Sequence, residues 1–399
     1  MKILLPIGLL ALAILLFTFN PWVWAEEPAP SSKTLGTTKE LMGKFLSHMQ
    51  ALKGYIVSED QFIDKKNFGE IDSHLKELSS LSKKAAHDPR LQLPGYRVSR
   101  QVLENHIEET ERVFRLGNKH YARWMLGSTL SICMSCHTQI PTVSRSLKDF
   151  ESLETFSTPF DQAEFLFATR AFDQAKPFYE KIIQNYPEDK VNSEQAETAL
   201  ERMITYYARI RRNPEAAVLA LEQYQRNTKL PPFLKEDMKI WLRSFKDWNK
   251  EPVLNPSSAT DSEIIEFASK NLDPKVSGYI MAADNPRAAL YLKVSGILYE
   301  YLQQHPDSKA TPSMLYWLAI CDKGLNNNFF YSLGDVYLRE CIIRFPQTPT
   351  ARTCYDEYES ETVLSYSGSS GTHLPEDVKI DLGRLKALII TPPTAGAKH

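Results

Sequence analysis

Apolar residues recur at helical spacing along most of the chain. Leu41, Phe45, Met49 and Leu52 stand three or four positions apart, a spacing that places side chains on one face of an α-helix. Few segments alternate apolar and polar residues, as half-buried strands do. The predicted fold class is therefore all-α. In the first part of the chain the apolar stripes predict four long helices, over 36–58, 68–86, 98–116 and 119–138.

Short breaks separate these four helices. Pro89, the Gly117-Asn118 pair and Pro141 stand where the stripes stop. Such residues disfavour helix or suit the turn that follows one. Long helices joined by short connections favour an antiparallel four-helix bundle. We assign 36–150 to this bundle, with 26–35 as a Pro- and Ser-rich linker before it and a joint within 141–156.

The remainder, 157–390, carries a second pattern. Ala163, Leu166, Ala175, Tyr179 and Pro187 have the spacing of the small, bulky and helix-closing positions of a paired-helix unit. This pattern resembles a tetratricopeptide repeat, and a ring residue followed by Pro recurs at 186–187, 305–306 and 345–346. The resemblance implies a helical repeat array whose surface binds a protein partner. An irregular all-α domain is the alternative.

The two ends of the chain differ from the rest. Met1-Lys2 precedes an apolar run at 3–19, and Val23-Trp24-Ala25 ends in the small residue that a signal peptidase reads. We expect 1–25 to be a signal peptide, cleaved after about Ala25, with export to the periplasm and no stable membrane span afterwards. An uncleaved anchor is the alternative. At the other end we expect a flexible loop at 367–372, a capping helix at 375–390 and a disordered tail at 391–399.

The centre of the candidate chemistry is Cys133-Met134-Ser135-Cys136-His137, a C-x-x-C-H motif. This motif is the attachment signature of c-type haem. Two thiols one helical turn apart can each form a thioether with a haem vinyl group, and the adjacent imidazole can bind the iron. We predict one haem c, attached covalently through Cys133 and Cys136, with His137 as an axial iron ligand. A structural disulfide and a thioredoxin-like redox pair are the alternatives.

The placement of this motif near the end of the fourth helix, after the Gly117-Asn118 turn and a Met-rich first helix, resembles the cytochrome c-prime and c-556 class. The resemblance covers about 36–140. In that class the first helix supplies the residue on the distal side of the iron, and Met42 falls at that position. The resemblance therefore implies Met42 as the candidate sixth ligand. An open or apolar distal site is one alternative, and a second His is another, with four candidates in the segment: His48, His74, His106 and His120.

The chain departs from that class after the motif. The class has an aromatic and a basic residue shortly after the haem-binding His, whereas this chain continues Thr138-Gln139-Ile140-Pro141. Contacts to the haem propionates are therefore expected from elsewhere, with Arg115, Lys119 and Arg123 as candidates. Bundles of this class often form dimers, so a homodimer is a further expectation that no feature of the sequence decides.

Three cysteines lie outside the motif, at Cys321, Cys341 and Cys354. In an oxidising compartment two of them can pair, which leaves one thiol over. A Cys321–Cys341 bond would join the two helices of one unit, and a Cys341–Cys354 bond would join adjacent units. The spacing does not choose between these pairings. Four acidic residues of the second region are expected on solvated helix faces: Asp173, Glu180, Glu197 and Glu201.

These features favour a function without catalysis. The net charge of −2 argues against non-specific nucleic-acid binding, and the chain lacks the phosphate-loop, H-E-x-x-H and G-x-S-x-G motifs. We predict an exported mono-haem c-type cytochrome that carries single electrons to or from a redox partner protein, with helical repeats that dock a protein partner. The alternatives are a haem-based gas or redox sensor with an open distal site, and an assembly or scaffold protein in which haem is auxiliary. A haem peroxidase is a weaker alternative, because no distal acid–base groups are identifiable.

Overall fold

The computed structural model describes residues 32–139, 158–188, 191–252, 254–272 and 287–390. The predicted signal peptide, most of the linker, the joint and the tail lie outside the described residues. Within these ranges the chain forms sixteen α-helices and one short hairpin, which confirms the all-α prediction. The first five helices are α1 (Ser32–Val57), α2 (Glu59–Ile63), α3 (Phe68–Ala85), α4 (Pro94–Arg115) and α5 (Lys119–His137).

The remaining helices follow in close succession. They are α6 (Pro159–Ala168), α7 (Phe172–Asn185), α8 (Ser193–Thr205), α9 (Pro214–Tyr224), α10 (Pro232–Trp248), α11 (Asp261–Leu272), α12 (Ala288–Gln304), α13 (Thr311–Phe329), α14 (Gly334–Arg344), α15 (Pro349–Ser365) and α16 (Glu376–Ile390). A π-helical turn, Tyr206–Ile210, extends α8. The predicted capping helix is confirmed as α16. The predicted flexible loop is instead a hairpin of β1 (Ser367–Gly368) and β2 (Gly371–Thr372), in which Gly371 has a φ of 104°.

The four long helices of the first region form a closed ring of contacts. α1 packs against α3 and α5, α3 packs against α4, and α4 packs against α5. The apolar stripe of α1 lies in this core, with Leu52 fully buried. Six of the eight predicted helix starts and ends lie within one residue of those observed, but α1 begins at Ser32, inside the predicted linker, and α4 begins at Pro94, four residues before its predicted start. Gly117, with a φ of 94°, makes the turn before α5, and the Asn118 side chain caps that helix by accepting from the Tyr121 amide.

The helices of the second region pack mostly against their neighbours in sequence. Contacts join α6 to α7, α7 to α8, α9 to α10 and each successive pair from α12 to α15. Ala163, Leu166, Ala175 and Tyr179 are all fully buried, as their proposed packing positions require. The three ring-residue–Pro pairs each follow a helix, because Tyr186, His305 and Phe345 are the C-caps of α7, α12 and α14. Their helix-closing role is confirmed.

The pairing of the cysteines is settled by the fold. A disulfide joins Cys341 to Cys354, with 6.5 Å between their Cα atoms, and it connects α14 to α15. Cys321 is a buried free thiol. The structure thus selects one of the two pairings that spacing left open.

The two regions share buried apolar surface. Val98 and Val102 of α4, together with Ile132 and Met134 of α5, belong to the same buried cluster as the helices of the second region. The end of α5, which carries the C-x-x-C-H motif, forms part of this junction. The division into two domains stays a prediction, and the described residues show where the two parts meet.

Candidate functional site

The motif occupies the last turn of α5. Cys133, Cys136 and His137 stand at positions i, i+3 and i+4 of one helix, and residues at this spacing share a face. The helix ends directly after the motif, with Thr138 as its C-cap. The Thr138 amide donates to the Met134 carbonyl at 3.0 Å. The structure therefore brings the three predicted site residues together on one regular, well-terminated turn.

Both thiols of the motif are unbonded and half-buried. Burial raises the pKa of the Cys133 thiol to about 12 and that of the Cys136 thiol to about 11. Two weaker influences on Cys136 act in the opposite direction, the positive charge of Arg170 and a hydrogen bond with Ser99. A redox-active thiol pair needs a lowered pKa, because the thiolate is the reactive form. The environment of this pair therefore argues against the thioredoxin-like alternative.

The His137 imidazole is oriented by a backbone carbonyl. Its Nδ1 lies 2.6 Å from the Ala168 carbonyl oxygen, at the end of α6. Since a carbonyl oxygen only accepts, Nδ1 must be the donor and carries the proton. The lone pair of the neutral ring is then on Nε2. A histidine that binds a metal commonly donates its second ring N–H to a carbonyl or carboxylate in this way, so the tautomer suits an axial iron ligand.

Further hydrogen bonds fix the end of α5 to the second region. Ser135 Oγ donates to the Tyr331 carbonyl at 3.1 Å. Arg209 Nη1, on the π-helical turn, donates to Thr138 Oγ1 at 3.2 Å. Gln139 Nε2 contacts Ser99 Oγ of α4 at 2.7 Å and the Tyr337 hydroxyl of α14 at 3.3 Å. Together with the His137–Ala168 bond, these contacts join four residues at the end of α5 to parts of the chain that are distant in sequence. The four residues are Ser135, His137, Thr138 and Gln139.

Sequence reasoning missed Arg170, the cation beside the motif. Arg170 follows the α6 C-cap and has a φ of 70°. Its amide donates to the Phe167 carbonyl at 3.1 Å and the next amide, of Ala171, donates to Leu166 at 2.8 Å. This pair of bonds is the Schellman arrangement, in which the left-handed residue is usually Gly. An Arg at this position carries a backbone cost that a Gly would avoid, and its charge acts on both Cys136 and Tyr96.

The three cations proposed for the haem propionates lie elsewhere. Arg115 pairs with Asp72 at 3.0 Å, the Lys119 ammonium sits 3.2 Å from the Phe114 ring centroid, and Arg123 donates to the Ile56 carbonyl at 2.7 Å. Even Arg123 is ten residues before the first thiol, about 15 Å along the helix. The structure therefore does not bring these three residues to the motif, and Arg170 is the cation that acts on Cys136.

The position of Met42 follows from the direction of α1. The end of α1 lies beside the first half of α5: the Ile56 carbonyl accepts from Arg123, and Glu59, just after α1, lies 2.7 Å from His120, one turn earlier in α5. The two helices thus run antiparallel, and the early part of α1, with Met42, points toward the motif end of α5. Met42 is half-buried and packs against the core of the first region. Its role as the sixth ligand stays a prediction.

The four histidines considered for the distal side have other partners. His106 is buried, with Nε2 2.7 Å from the Met125 carbonyl oxygen, and burial lowers its pKa. His120 is exposed and lies 2.7 Å from a Glu59 carboxylate oxygen. His48 and His74 face each other. Each of these histidines is accounted for by a local contact.

Comparisons with known proteins add no identification. No protein-family model, no curated protein and no solved structure matches the chain. Over the ranges that the structure describes, no group of three or more His, Cys, Asp or Glu side chains could hold a metal ion, and no helix has both the length and the apolar character of a membrane span. The haem hypothesis therefore rests on the motif and its surroundings.

Proposed function

We propose that the protein is an exported mono-haem c-type cytochrome of the periplasm, in which helices α1 and α3–α5 form the haem bundle and the following helices form a tetratricopeptide-like array. The observation that supports this most strongly is the donor set at the end of α5. Two unbonded thiols and an imidazole with its proton held on Nδ1 share one helical face. Haem c needs those three groups in that order.

The residues of the chain would act as follows. Cys133 and Cys136 would hold the ring through thioether bonds, and His137 would offer Nε2 to the iron while Ala168 keeps the imidazole from rotating. When bound, haem supplies a one-electron iron couple. The positive charge of Arg170 would favour the reduced state, because the ferric centre carries one more positive charge. Such a site suits single-electron transfer to a redox partner protein, with a second protein docked on the helical array.

The first experiment tests covalent attachment. The full chain would be produced in a periplasm that attaches c-type haem, and the haem that stays with the denatured polypeptide would be measured by its pyridine haemochrome spectrum and by mass. The wild-type protein should carry one haem, and the Cys133→Ala/Cys136→Ala variant should carry none. Cys321→Ala, which removes a buried thiol outside the motif, is the matched control and should keep its haem. Covalent haem in the double variant would overturn the proposal.

A haem-based sensor is the second candidate. The observation that favours it is the set of hydrogen bonds from Ser135, His137, Thr138 and Gln139 to the second region. A change at the iron would reach the helical array directly through these contacts. Visible spectra with and without carbon monoxide separate the two functions. A low-spin spectrum that ignores the gas supports electron transfer and a sixth ligand such as Met42, whereas a high-spin spectrum that responds to it supports the sensor.

A further inference from the structure

The last helix of the second region has an apolar outer face. α16 packs against α14 and α15, and its inner residues Leu382 and Leu385 are buried. On the opposite side four small or apolar residues recur at three- and four-residue spacing: Ile380, Gly383, Ala387 and Ile390. Ile380 is 65% exposed and Ile390 is 61% exposed. The terminal unit of a helical array needs a polar outer face for solubility, so an apolar one is typical of a surface that packs against another protein.

Gly383 leaves a gap in this face. A Cβ atom at Gly383 would meet no atom within 4 Å, so the space above the backbone is open. Ile380 stands one turn before the gap and Ala387 one turn after it. A branched side chain from a second helix can pack into such a gap between neighbouring turns.

An acidic cavity adjoins one side of the same helix. Its volume is about 500 Å³, and four carboxylates line it: Asp335, Glu361, Asp377 and Asp381. Two of them have cationic partners, since Arg339 bonds Asp381 and Lys323 lies 2.7 Å from Glu361. Over the described ranges no ion pair involves Asp335 or Asp377. The cavity therefore carries an excess of negative charge and favours a basic side chain.

The complementary basic side chain stands on α16 itself. Arg384 follows Asp377 by seven residues, so the two lie on the same side of the helix, two turns apart. The Arg384 side chain is 69% exposed, and its guanidinium is 3.7 Å from Asp381, which leaves it able to pair with a second carboxylate. When two copies of α16 lie antiparallel about a twofold axis near Ile380, Asp377 of each copy faces Arg384 of the other. One helix thus supplies both halves of the charge pattern, as an isologous interface requires.

We propose that α16 is the interface of a homodimer, in which the helices of two copies pack antiparallel, with Ile380 over Gly383 of the other copy and Arg384 against Asp377 of the other copy. A second copy fits this face better than a different protein, because the apolar stripe and both charges are self-complementary. The helix has 15 residues and is about 22 Å long. Such a contact is smaller than the about 800 Å² per partner of a standard interface, so the dissociation constant should lie in the micromolar range. The interface is outside the proposed haem bundle.

The oligomeric state of the full chain tests the apolar face. Sedimentation equilibrium from nanomolar to high micromolar concentration should show a monomer when dilute and a dimer when concentrated. Ile380→Asp places a charge in the middle of the stripe and should weaken association about tenfold. Leu219→Asp, at an exposed leucine of α9, is the matched control and should associate like the wild type. Both variants should keep the helix content of the wild type by circular dichroism, because both positions are exposed.

Charge reversal tests the antiparallel arrangement. Arg384→Glu sets two like-charged pairs against each other in the dimer, and Asp377→Lys does the same with the opposite sign, so each variant alone should associate several-fold more weakly. An equimolar mixture should recover most of the affinity, because each mixed dimer contains one native pair and one pair with both charges reversed.

Three results would each contradict the proposal: a chain that stays monomeric at every concentration, a dimer that Ile380→Asp does not weaken, and a mixture that associates no better than the two charge variants alone. Haem does not decide the outcome. Cys133→Ala/Cys136→Ala should form the same dimer, so a failure of the haem proposal and a failure of this one are distinguishable.

Discussion

The chain contains two cysteine pairs that the fold treats in opposite ways. Cys133 and Cys136 lie one turn apart on a single helix and remain free thiols. Cys341 and Cys354 are 13 residues apart, on α14 and α15, and are joined by a disulfide. The first pair sits beside an oriented imidazole at the junction of the two regions. The second pair connects two helices of the second region.

The two pairs therefore have different roles: the first offers reactive groups, and the second stabilises the fold. Thiols at helical spacing next to an imidazole present a reactive face whose geometry is set locally, by α5 alone. A disulfide between two helices depends on how the chain folds back. It stabilises the folded state mainly because it reduces the conformational entropy of the unfolded chain. The same residue type thus serves as a candidate cofactor anchor in the first region and as a staple in the second.

Removing the disulfide should have the largest effect on stability. Cys341→Ala/Cys354→Ala opens a loop of 13 residues, and closing a loop of about this size contributes about 3 kcal/mol. Denaturant unfolding without reductant should show this loss, and addition of reductant should bring the wild type down to the level of the variant. Covalent haem content should be unchanged. Equal unfolding midpoints for the two proteins without reductant would mean that the bond contributes nothing to stability.

The long helices were predictable because each carries several turns of apolar periodicity. The predicted start of α4 was wrong by four residues, because Pro94 at the first helical position extends this helix backwards. The short helix α2 was not predicted, since five residues are too few to show a period. The Ser367–Thr372 hairpin was missed because its two-residue strands have no apolar pattern.

The candidate site was predictable only where its geometry is local. The spacing of Cys133, Cys136 and His137 follows from one helix. The partner of His137 is a backbone carbonyl, 31 residues away at Ala168, and no side-chain pattern marks a carbonyl. Arg170 was missed because its position rests on an unusual backbone angle. The disulfide could be narrowed to alternatives but not chosen, because the choice depends on which helices meet.

Buried acids show a further contrast between the regions. The motif thiols are neutral at pH 7, whereas Glu201 in α8 is a buried carboxyl, and its predicted place on a solvated face was wrong. One of its oxygen atoms has no hydrogen-bond partner, and burial raises the pKa of Glu201 to about 8. The sequence could not reveal this, because Glu201 is followed by the charged Arg202 as on a solvated face, whereas the fold buries every residue of α8 from Ala199 to Thr205.

A Glu201→Gln substitution should therefore change the pH dependence of stability. The pKa of Glu201 is higher in the folded protein than in the unfolded chain. Between about pH 4.5 and about pH 8 the folded protein therefore binds more protons, and the wild type loses stability as the pH rises through this range. The Gln variant lacks this loss and should exceed the wild type by on the order of 2 kcal/mol at pH 9. Unfolding curves at pH 5, 7 and 9 measure it. Exposed Glu194→Gln, on the same helix, should follow the wild type; a constant gap across pH would contradict the assignment.

The last prediction involves no change in stability, and it compares the two cysteine pairs directly by counting free thiols. Of the five cysteines in the chain, three are free thiols: Cys133, Cys136 and Cys321. Protein made without haem attachment and unfolded without reductant should therefore take up three alkyl groups by mass spectrometry. Haem-loaded protein should take up one, at Cys321, because thioether sulfurs do not react.

In the folded haem-free protein, alkylation at pH 8 should be slow and should accelerate toward pH 11, since burial raises the pKa of both motif thiols to about 11 or above. An uptake of one group in the haem-free protein would mean that Cys133 and Cys136 form a disulfide. The two pairs would then differ only in loop length, and the case for a cofactor anchor would lose its main structural support.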